Sequence, residues 1–252
     1  MKITRKRFLQ LSGLSLIAVA AKRMVRVMAA STSAPESTKT VRWGMAIDLE
    51  KCRLDQGCDG CIKACHSGHN VPQFADRAHE VKWIWKQPFE DVFPFAETEY
   101  TREAHASQPV LLLCNHCGDP PCVDVCPVEA TWRTDTGVVT VDFHRCIGCR
   151  YCMAACPYGS RSFNWQDPRP AIPAVNPDFP TRTKGVVEKC NFCEERLAKN
   201  LAPLCVEACP EKALIFGDLE QKDSEIRNVL RSRFSVQRKP ELGTGPSVYY
   251  LT

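Results

Sequence analysis

Residues 146–157 read C-I-G-C-R-Y-C-M-A-A-C-P, and this stretch decides the fold of the 252-residue chain. Three cysteines follow one another at three-residue intervals, and a fourth comes after a longer gap and directly precedes a proline. Cys146, Cys149 and Cys152 can ligate three irons of one [4Fe-4S] cube. The fourth cysteine of such a run, here Cys156, ligates a different cluster. One run therefore predicts a partner run elsewhere in the chain.

The sixteen cysteines divide along the sequence into four groups of four, and none is left over. In three groups a proline directly follows the last cysteine, which a set of disulfides would not require. Zinc sites usually take paired C-x2-C units and accept histidine, whereas a triplet with an offset fourth cysteine suits cubane clusters better. The pattern favours four [4Fe-4S] clusters over disulfides or zinc. The groups are Cys52, Cys58, Cys61, Cys65; Cys114, Cys117, Cys122, Cys126; Cys146, Cys149, Cys152, Cys156; and Cys190, Cys193, Cys205, Cys209.

The formal net charge of +4 counts every cysteine as neutral. Cluster ligands are thiolates, and each oxidised [4Fe-4S] unit with its four thiolates carries about −2, so four units carry about −8. The loaded protein is then modestly acidic. The positive balance of the bare chain does not predict nucleic acid as a partner.

Residues 1–30 predict a targeting segment or an N-terminal anchor, with an amphipathic helix as the alternative. A basic triplet at residues 5–7 precedes an apolar run over residues 8–21 that is short for a bilayer span. The triplet resembles a twin-arginine signal in which Lys6 replaces the second arginine. Because such a signal exports a folded, cluster-loaded protein, we expect the mature chain at the periplasmic (extracytoplasmic) face of the cytoplasmic membrane. Residues 31–40, rich in Ser, Thr and Pro, predict a linker.

Short strands and helices are predicted around the cysteine groups. Alternating polar and apolar residues indicate strands, a glycine-containing turn between two of them indicates a hairpin, and spacing of three to four residues indicates helices. The alternation over 79–85 would place Val81, Trp83 and Trp85 on one face. The predicted strands are 43–49, 79–85, 110–113, 131–133 with its hairpin partner 138–141, and 247–251, and the predicted helices are 194–200 and 224–234.

His66 and His69 follow the first cysteine group closely. A histidine beside a cluster can be a ligand or a hydrogen-bond donor, but more often it is a packing or surface residue. Because the cysteines already supply four ligands per cluster, we leave both histidines out of the ligand set.

Four further stretches, together with the cysteine groups, resemble a known family. This family comprises the four-cluster electron-transfer subunits of the dimethyl sulfoxide and polysulfide reductases, which serve molybdopterin oxidoreductases and related membrane complexes. The resemblance covers roughly residues 41–252. The stretches are G-V-V-E-K-C-N-F-C-E-E-R-L (185–197), F-G-D-L (216–219), D-S-E-I (223–226) and P-E-L-G-T-G-P-S-V-Y-Y-L (240–251).

A narrower resemblance rests on two stretches near the first cysteine group. C-H-S-G-H-N-V-P (65–72) and H-E-V-K-W-I-W-K-Q-P-F-E (79–90) are most similar to the exported iron–sulfur subunit of the Dsr complex. That membrane complex is linked to dissimilatory sulfite reduction, and its archaeal counterparts oxidise menaquinol.

The resemblance implies an α+β fold of two interleaved bacterial ferredoxin-like modules, each for two [4Fe-4S] clusters, with loop insertions. The inner module would be residues 110–160, the outer module residues 41–109 with 185–252, and residues 161–184 a surface excursion. In the family, the two inner groups exchange ligands, and so do the two outer groups. Carried onto this chain, the ligand sets are set 1 (Cys52, Cys58, Cys61, Cys209), set 2 (Cys65, Cys190, Cys193, Cys205), set 3 (Cys114, Cys117, Cys122, Cys156) and set 4 (Cys126, Cys146, Cys149, Cys152).

The same resemblance implies a peripheral electron-transfer subunit of a membrane-bound respiratory oxidoreductase complex. Electrons would pass between a polytopic quinone-interacting membrane subunit and a redox partner in sulfur or sulfite metabolism, with a multiheme cytochrome c among the candidate partners. The sequence contains no Gly-rich phosphate loop after a strand, no catalytic triad pattern and no C-x-x-C-H heme attachment motif. We therefore expect no catalytic residue in this chain itself.

Three alternatives stay open at this stage. The chain could be the iron–sulfur subunit of a molybdopterin oxidoreductase. It could be a free periplasmic ferredoxin-like carrier, although small carriers rarely need four clusters or such long loops. It could also be a metal-bound scaffold without a redox role, which would be colourless and contain zinc without sulfide.

Overall fold

The computed structural model describes residues 41–94, 98, 100 and 108–252. Residues 40–252 form one compact unit. The predicted targeting segment and linker lie outside the described residues. Among the helices that are described, none is both long and apolar enough to cross a membrane.

Short strands and short helices alternate along the described chain, as expected for an α+β fold. The strands are β1 (Trp43–Asp48), β2 (Ile84–Pro88), β3 (Pro109–Leu113), β4 (Thr131–Arg133), β5 (Val139–Val141), β6 (Ser162–Phe163), β7 (Val187–Glu188), β8 (Leu214–Asp218), β9 (Ser235–Val236) and β10 (Val248–Leu251). The helices are α1 (Gly60–Gly68), α2 (Phe89–Val92), α3 (Pro121–Asp124), α4 (Tyr151–Ala155), α5 (Glu194–Leu197), α6 (Leu204–Glu207) and α7 (Glu225–Ser232).

The largest sheet joins the two ends of the described chain. Its strand order is β8-β1-β10-β9, with β1 and β10 parallel and the other neighbours antiparallel. Ala46 in the central strand β1 pairs with Ile215 on one side and Tyr249 on the other, and it is fully buried. The segment before the first cysteine group is thus held by the segments that follow the last group.

Three antiparallel pairs carry the remaining strands: β2 with β3, β4 with β5, and β6 with β7. The predicted hairpin over 131–133 and 138–141 is confirmed by β4 and β5. Its turn closes when the Gly137 N–H donates to the Thr134 carbonyl at 3.0 Å, and Gly137 has a φ of +81°.

The predicted strand over 79–85 is wrong for residues 79–83. Asp76 caps a 3₁₀ turn over Arg77–His79 by accepting from the Ala78 N–H at 2.9 Å, and the strand begins only at Ile84. The alternation of apolar residues instead reflects burial, because Val81, Trp83 and Trp85 all lie in the core.

The predicted helices are confirmed in shorter form as α5 and α7. Ser224 caps α7, since its side chain accepts from the Arg227 N–H at 3.4 Å. Ile226 on the first turn is fully buried against the sheet. A capped N-terminus and one apolar face explain why this helix forms.

Residues 161–184 are fixed by buried contacts. Arg182 is buried and forms an ion pair with buried Glu188 at 2.5 Å. The Asn70 amide donates to the Phe179 carbonyl at 2.6 Å, and Phe179 packs edge-on against Trp83. The predicted excursion is therefore attached firmly to residues that follow the first cysteine group.

Gly148 and Gly159 offer a matched pair of substitutions, since both have positive φ values, +69° and +63°. A Cβ at residue 148 would lie 2.3 Å from the Gly185 carbonyl oxygen, whereas a Cβ at residue 159 meets nothing within 4 Å. Gly159→Ala should cost about 1 kcal/mol from backbone strain alone. Gly148→Ala should lower the free energy of unfolding by about 1–3 kcal/mol more, because the backbone at residue 148 and the backbone at Gly185 must move apart.

The fall in Tm of each variant, measured by thermal unfolding, gives this difference. An equal fall in Tm for both would show that the close approach at Gly148 does not constrain the fold.

Candidate metal centres

Set 3 surrounds a cavity inside the inner module. Cys114 and Cys117 follow β3, Cys122 lies on α3, and Cys156 ends α4. The four residues line one cavity. Burial raises the pKa of the Cys117 thiol to about 12, and the neighbouring Cys114 adds to the effect.

Set 4 surrounds a second cavity. Cys146 and Cys149 lie in the loop before α4, Cys152 lies on α4, and Cys126 follows α3. Helices α3 and α4 pack against each other. This packing places the last cysteine of each inner group beside the first three of the other, as the exchange of ligands predicts.

Set 1 surrounds a third cavity. Its sequence spacing is wide, because three extra residues separate Cys52 from Cys58. The structure folds Leu54–Gln56 into a 3₁₀ turn, and the Cys58 N–H donates to the Arg53 carbonyl at 3.1 Å. The extra residues therefore form a closed turn, and all four set 1 cysteines still line one cavity.

Set 2 is the most deeply buried set. Cys65 lies on α1 and Cys205 on α6, and these two helices pack together. Burial raises the pKa of the Cys65 thiol well above its ordinary value, and Cys190, Cys205 and Cys193 add to it in that order. The structure thus brings together all four cysteines that the resemblance assigned to this set.

The same local structure recurs in the two modules at the cysteines that precede proline. Cys126-Pro-Val-Glu-Ala130 and Cys209-Pro-Glu-Lys-Ala213 both place their fourth residue at a positive φ, 51° and 50°. In each case the alanine N–H then donates to the cysteine sulfur, at 3.2 Å and 3.3 Å. The sequence carries this signal as a repeated C-P-x-x-A, which the spacing of cysteines alone does not reveal.

Neighbouring sets are linked in the order 1, 2, 3, 4. Cys61 of set 1 acts electrostatically on Cys65 and Cys205 of set 2. After burial, Cys114 of set 3 is the largest influence on the Cys190 thiol of set 2, and it raises the pKa of that thiol. Sets 3 and 4 are linked through the buried Arg161, which lines both cavities.

The chemistry of the donors fits [4Fe-4S] clusters. All sixteen cysteines are free thiols. Zinc sites usually take Cys or His ligands in paired units. The cavities lined by sets 1, 3 and 4 instead each gather four thiols from two separate cysteine groups, which is the exchange of a ligand that paired [4Fe-4S] clusters show.

The two histidines after the first cysteine group are engaged in hydrogen bonds. His69 is buried, with Nδ1 2.8 Å from the Cys65 carbonyl oxygen and Nε2 3.1 Å from Glu195 Oε1. Its ring also stacks on Trp83. His66 Nε2 lies 3.1 Å from the Ile84 carbonyl oxygen. Both rings are therefore held beside the cysteines by hydrogen bonds, and the His69 ring is also held by stacking.

Two buried cations near the cysteines were not expected from the sequence. Arg161 Nη2 donates to Cys122 Sγ at 3.0 Å, and Lys189 Nζ donates to the Cys190 carbonyl at 2.6 Å. Both side chains are buried. The signal in the sequence is their position. Arg161 lies four residues after the pair Cys156-Pro157, and Lys189 directly precedes Cys190.

Two family models match the chain. Both are described as a 4Fe-4S dicluster domain, and they cover residues 109–171 and 145–214.

Three curated relatives align along most of their length. The chain is 38% identical over 276 residues to the Hdr-like menaquinol oxidoreductase iron-sulfur subunit 1 of Archaeoglobus fulgidus, covering 98% of this chain and 97% of that protein. It is 38% identical over 237 residues to the menaquinone reductase iron-sulfur cluster-binding subunit of Nitratidesulfovibrio vulgaris, covering 84% and 89%. It is 36% identical over 242 residues to the arsenate respiratory reductase iron-sulfur subunit of a Shewanella species, covering 84% and 96%.

The exchange of ligands between the inner groups predicts which single substitutions act on the same metal centre. Cys156→Ser should perturb the same electron paramagnetic resonance signal as Cys117→Ser, because both sulfurs line the set 3 cavity. Cys126→Ser should perturb the same signal as Cys149→Ser, because both line the set 4 cavity. If Cys126→Ser instead matched Cys117→Ser, each sequence group would hold its own centre and the exchange would be disproved.

Proposed function

The chain belongs to the family of iron–sulfur subunits with 4Fe-4S dicluster domains that serve menaquinol-linked and respiratory reductases, and on this premise we propose that it carries electrons through four [4Fe-4S] clusters. The observation that carries the proposal is the grouping of sixteen free cysteines into four sets in an unbroken order.

The residues that would hold the clusters are the sixteen cysteines of sets 1 to 4. Bound [4Fe-4S] clusters supply one-electron redox chemistry at potentials set by charge, hydrogen bonds to sulfur and solvent exposure. The chain supplies each of these influences. Backbone N–H groups of Ala130, Ala213 and Leu204 donate to ligand sulfurs at 3.2–3.4 Å, and burial excludes water from set 2.

The arrangement supports a relay and not a reaction centre. Each set neighbours the next, so a single electron can cross the domain from set 1 to set 4 or in reverse. The residues around the sets include apolar side chains, backbone donors and the buried cations Arg161 and Lys189. We propose that the chain has no catalytic residue and that substrate chemistry belongs to its partners.

The proposed setting is a membrane-bound respiratory complex in which this chain is peripheral. The menaquinol and menaquinone named for two relatives support a polytopic quinone-interacting membrane subunit as one partner. The narrower proposal is a complex of the Dsr type, with a redox partner in sulfur or sulfite metabolism such as a multiheme cytochrome c. The basic and apolar pattern of residues 1–30 supports export in the folded state to the periplasmic face.

A second candidate is the iron–sulfur subunit of a molybdopterin oxidoreductase. The 36% identity to the subunit of arsenate respiratory reductase favours it. The two candidate complexes differ in their partner subunits, and in both of them this chain would transfer electrons.

Purification from the native membrane separates these settings. We would tag the C-terminus, solubilise the membrane gently and identify the proteins that co-purify. A quinone-interacting subunit with a multiheme cytochrome supports the Dsr-type complex, and a molybdopterin subunit supports the second candidate. A brown protein that comes away alone without detergent would instead indicate a free carrier, and a colourless zinc protein would disprove electron transfer.

Cys149→Ser tests the relay itself. This substitution removes one sulfur from the set 4 cavity, so we expect loss or weakening of one cluster and a block in electron transfer through the complex. Iron and acid-labile sulfide content and quinol-dependent reduction of the partner are the measurements. Unaltered cluster content together with unaltered transfer would contradict both the ligand set and the relay.

A further inference from the structure

Arg161 lies between the set 3 and set 4 cavities. Among the described residues that line these two cavities, it is the one that they share. Its Nη2 donates to Cys122 Sγ of set 3 at 3.0 Å. On the other side it lines the set 4 cavity together with Cys152. One guanidinium thus borders both sets of sulfurs.

The guanidinium is held firmly in this position. Nη2 also donates to Thr131 Oγ1 at 2.8 Å, and the Thr131 hydroxyl donates to the Thr140 carbonyl at 2.6 Å. Arg161 is only 5% exposed. Thr131 belongs to β4 and Thr140 to β5, so a paired hairpin fixes the charge.

Arg161 donates to a sulfur and not to a carboxylate. In the part of the chain that the structure describes, no carboxylate forms a salt bridge with Arg161, whereas the buried Arg182 pairs with Glu188 at 2.5 Å. A buried charge without a compensating partner costs several kcal/mol. The sulfurs of sets 3 and 4 are the groups placed to compensate it.

The electrostatics agree with this geometry. Burial lowers the pKa of Arg161, but Cys122, Cys152 and Cys114 raise it by more, so that the net direction is upward. In return, Arg161 is the largest influence that opposes the burial-raised pKa of both Cys122 and Cys152. The positive charge of Arg161 is therefore the main influence that favours the thiolate form in both sets.

We infer that Arg161 is a positioning residue of the relay, which holds one fixed positive charge between sets 3 and 4 and raises the reduction potential of the clusters bound in both. A cluster gains one negative charge on reduction, so a nearby buried cation and a hydrogen bond to a ligand sulfur favour the reduced form. Because one side chain lines both cavities, its removal should lower both potentials. This inference rests on the proposed function.

The test compares Arg161→Met with Arg169→Met in the purified complex. Arg169 is exposed and pairs with Asp167 at 2.6 Å, and no cysteine is among the groups that act on its charge, so its loss removes the same net charge without removing a contact to sulfur. Redox titration followed by electron paramagnetic resonance gives the potential of each cluster, with the Cys117→Ser and Cys149→Ser variants identifying the two inner signals.

In Arg161→Met we expect the equilibrium constant for reduction of each inner cluster to fall about tenfold, which is about 59 mV for one electron. The two outer clusters and the Arg169→Met protein should keep wild-type potentials. Unchanged inner potentials, a shift in only one inner cluster, or an equal shift in all four would each overturn the inference.

Arg161→Lys covers the case in which Arg161→Met does not load its clusters. Lysine keeps the positive charge, so inner clusters that load in the lysine variant with potentials close to wild type would support the inference, whereas loaded inner clusters with both potentials lowered would overturn it. Loss of all four clusters that lysine does not restore would show that Arg161 acts only in folding. Absence of four clusters from the wild-type protein would instead disprove the proposed function.

Discussion

Each set of four sulfurs is closed by a cysteine from a distant part of the chain, and the rest of the fold depends on this crossing. Cys156 and Cys126 exchange places between the inner groups, and Cys209 and Cys65 do so between the outer groups. The packing of α3 on α4 and of α1 on α6 brings the exchanged residues into reach. In the outer module, strand β1 pairs with β8 and β10 and so joins its two sequence segments. In the inner module, the hairpin of β4 and β5 connects the two cysteine groups.

Burial of cysteine sulfurs in all four sets raises an electrostatic problem, which the chain meets with hydrogen-bond donors and cations. Desolvation disfavours the thiolate form, and it raises the pKa of the Cys61, Cys117 and Cys190 thiols to about 12. Backbone N–H groups aimed at sulfur offset part of this cost. Arg161 and Lys189 offset a further part at the centre of the domain, where Lys189 acts on both Cys122 and Cys190.

The cysteine pattern predicted more of the site than of the fold. The spacing of cysteines with the following prolines indicated cubane clusters, and family resemblance supplied the exchange of ligands. The strand over 79–83 was wrong because Val81 and Trp83 are buried without belonging to a ladder, and alternation alone cannot distinguish the two cases. Arg161 could not be recognised from sequence, because its role depends on two sulfurs that converge on it only after the chain has folded.

The crossing also sets the order in which the domain can be completed during synthesis. Sets 3 and 4 draw all their cysteines from residues 114–156, whereas sets 1 and 2 wait for Cys205 and Cys209. The strand β1 waits longer still, for β10 at the end of the described chain. The first cysteines to leave the ribosome are therefore the last to be enclosed, and during that interval their thiols are the ones open to oxidation and to capture of the wrong metal.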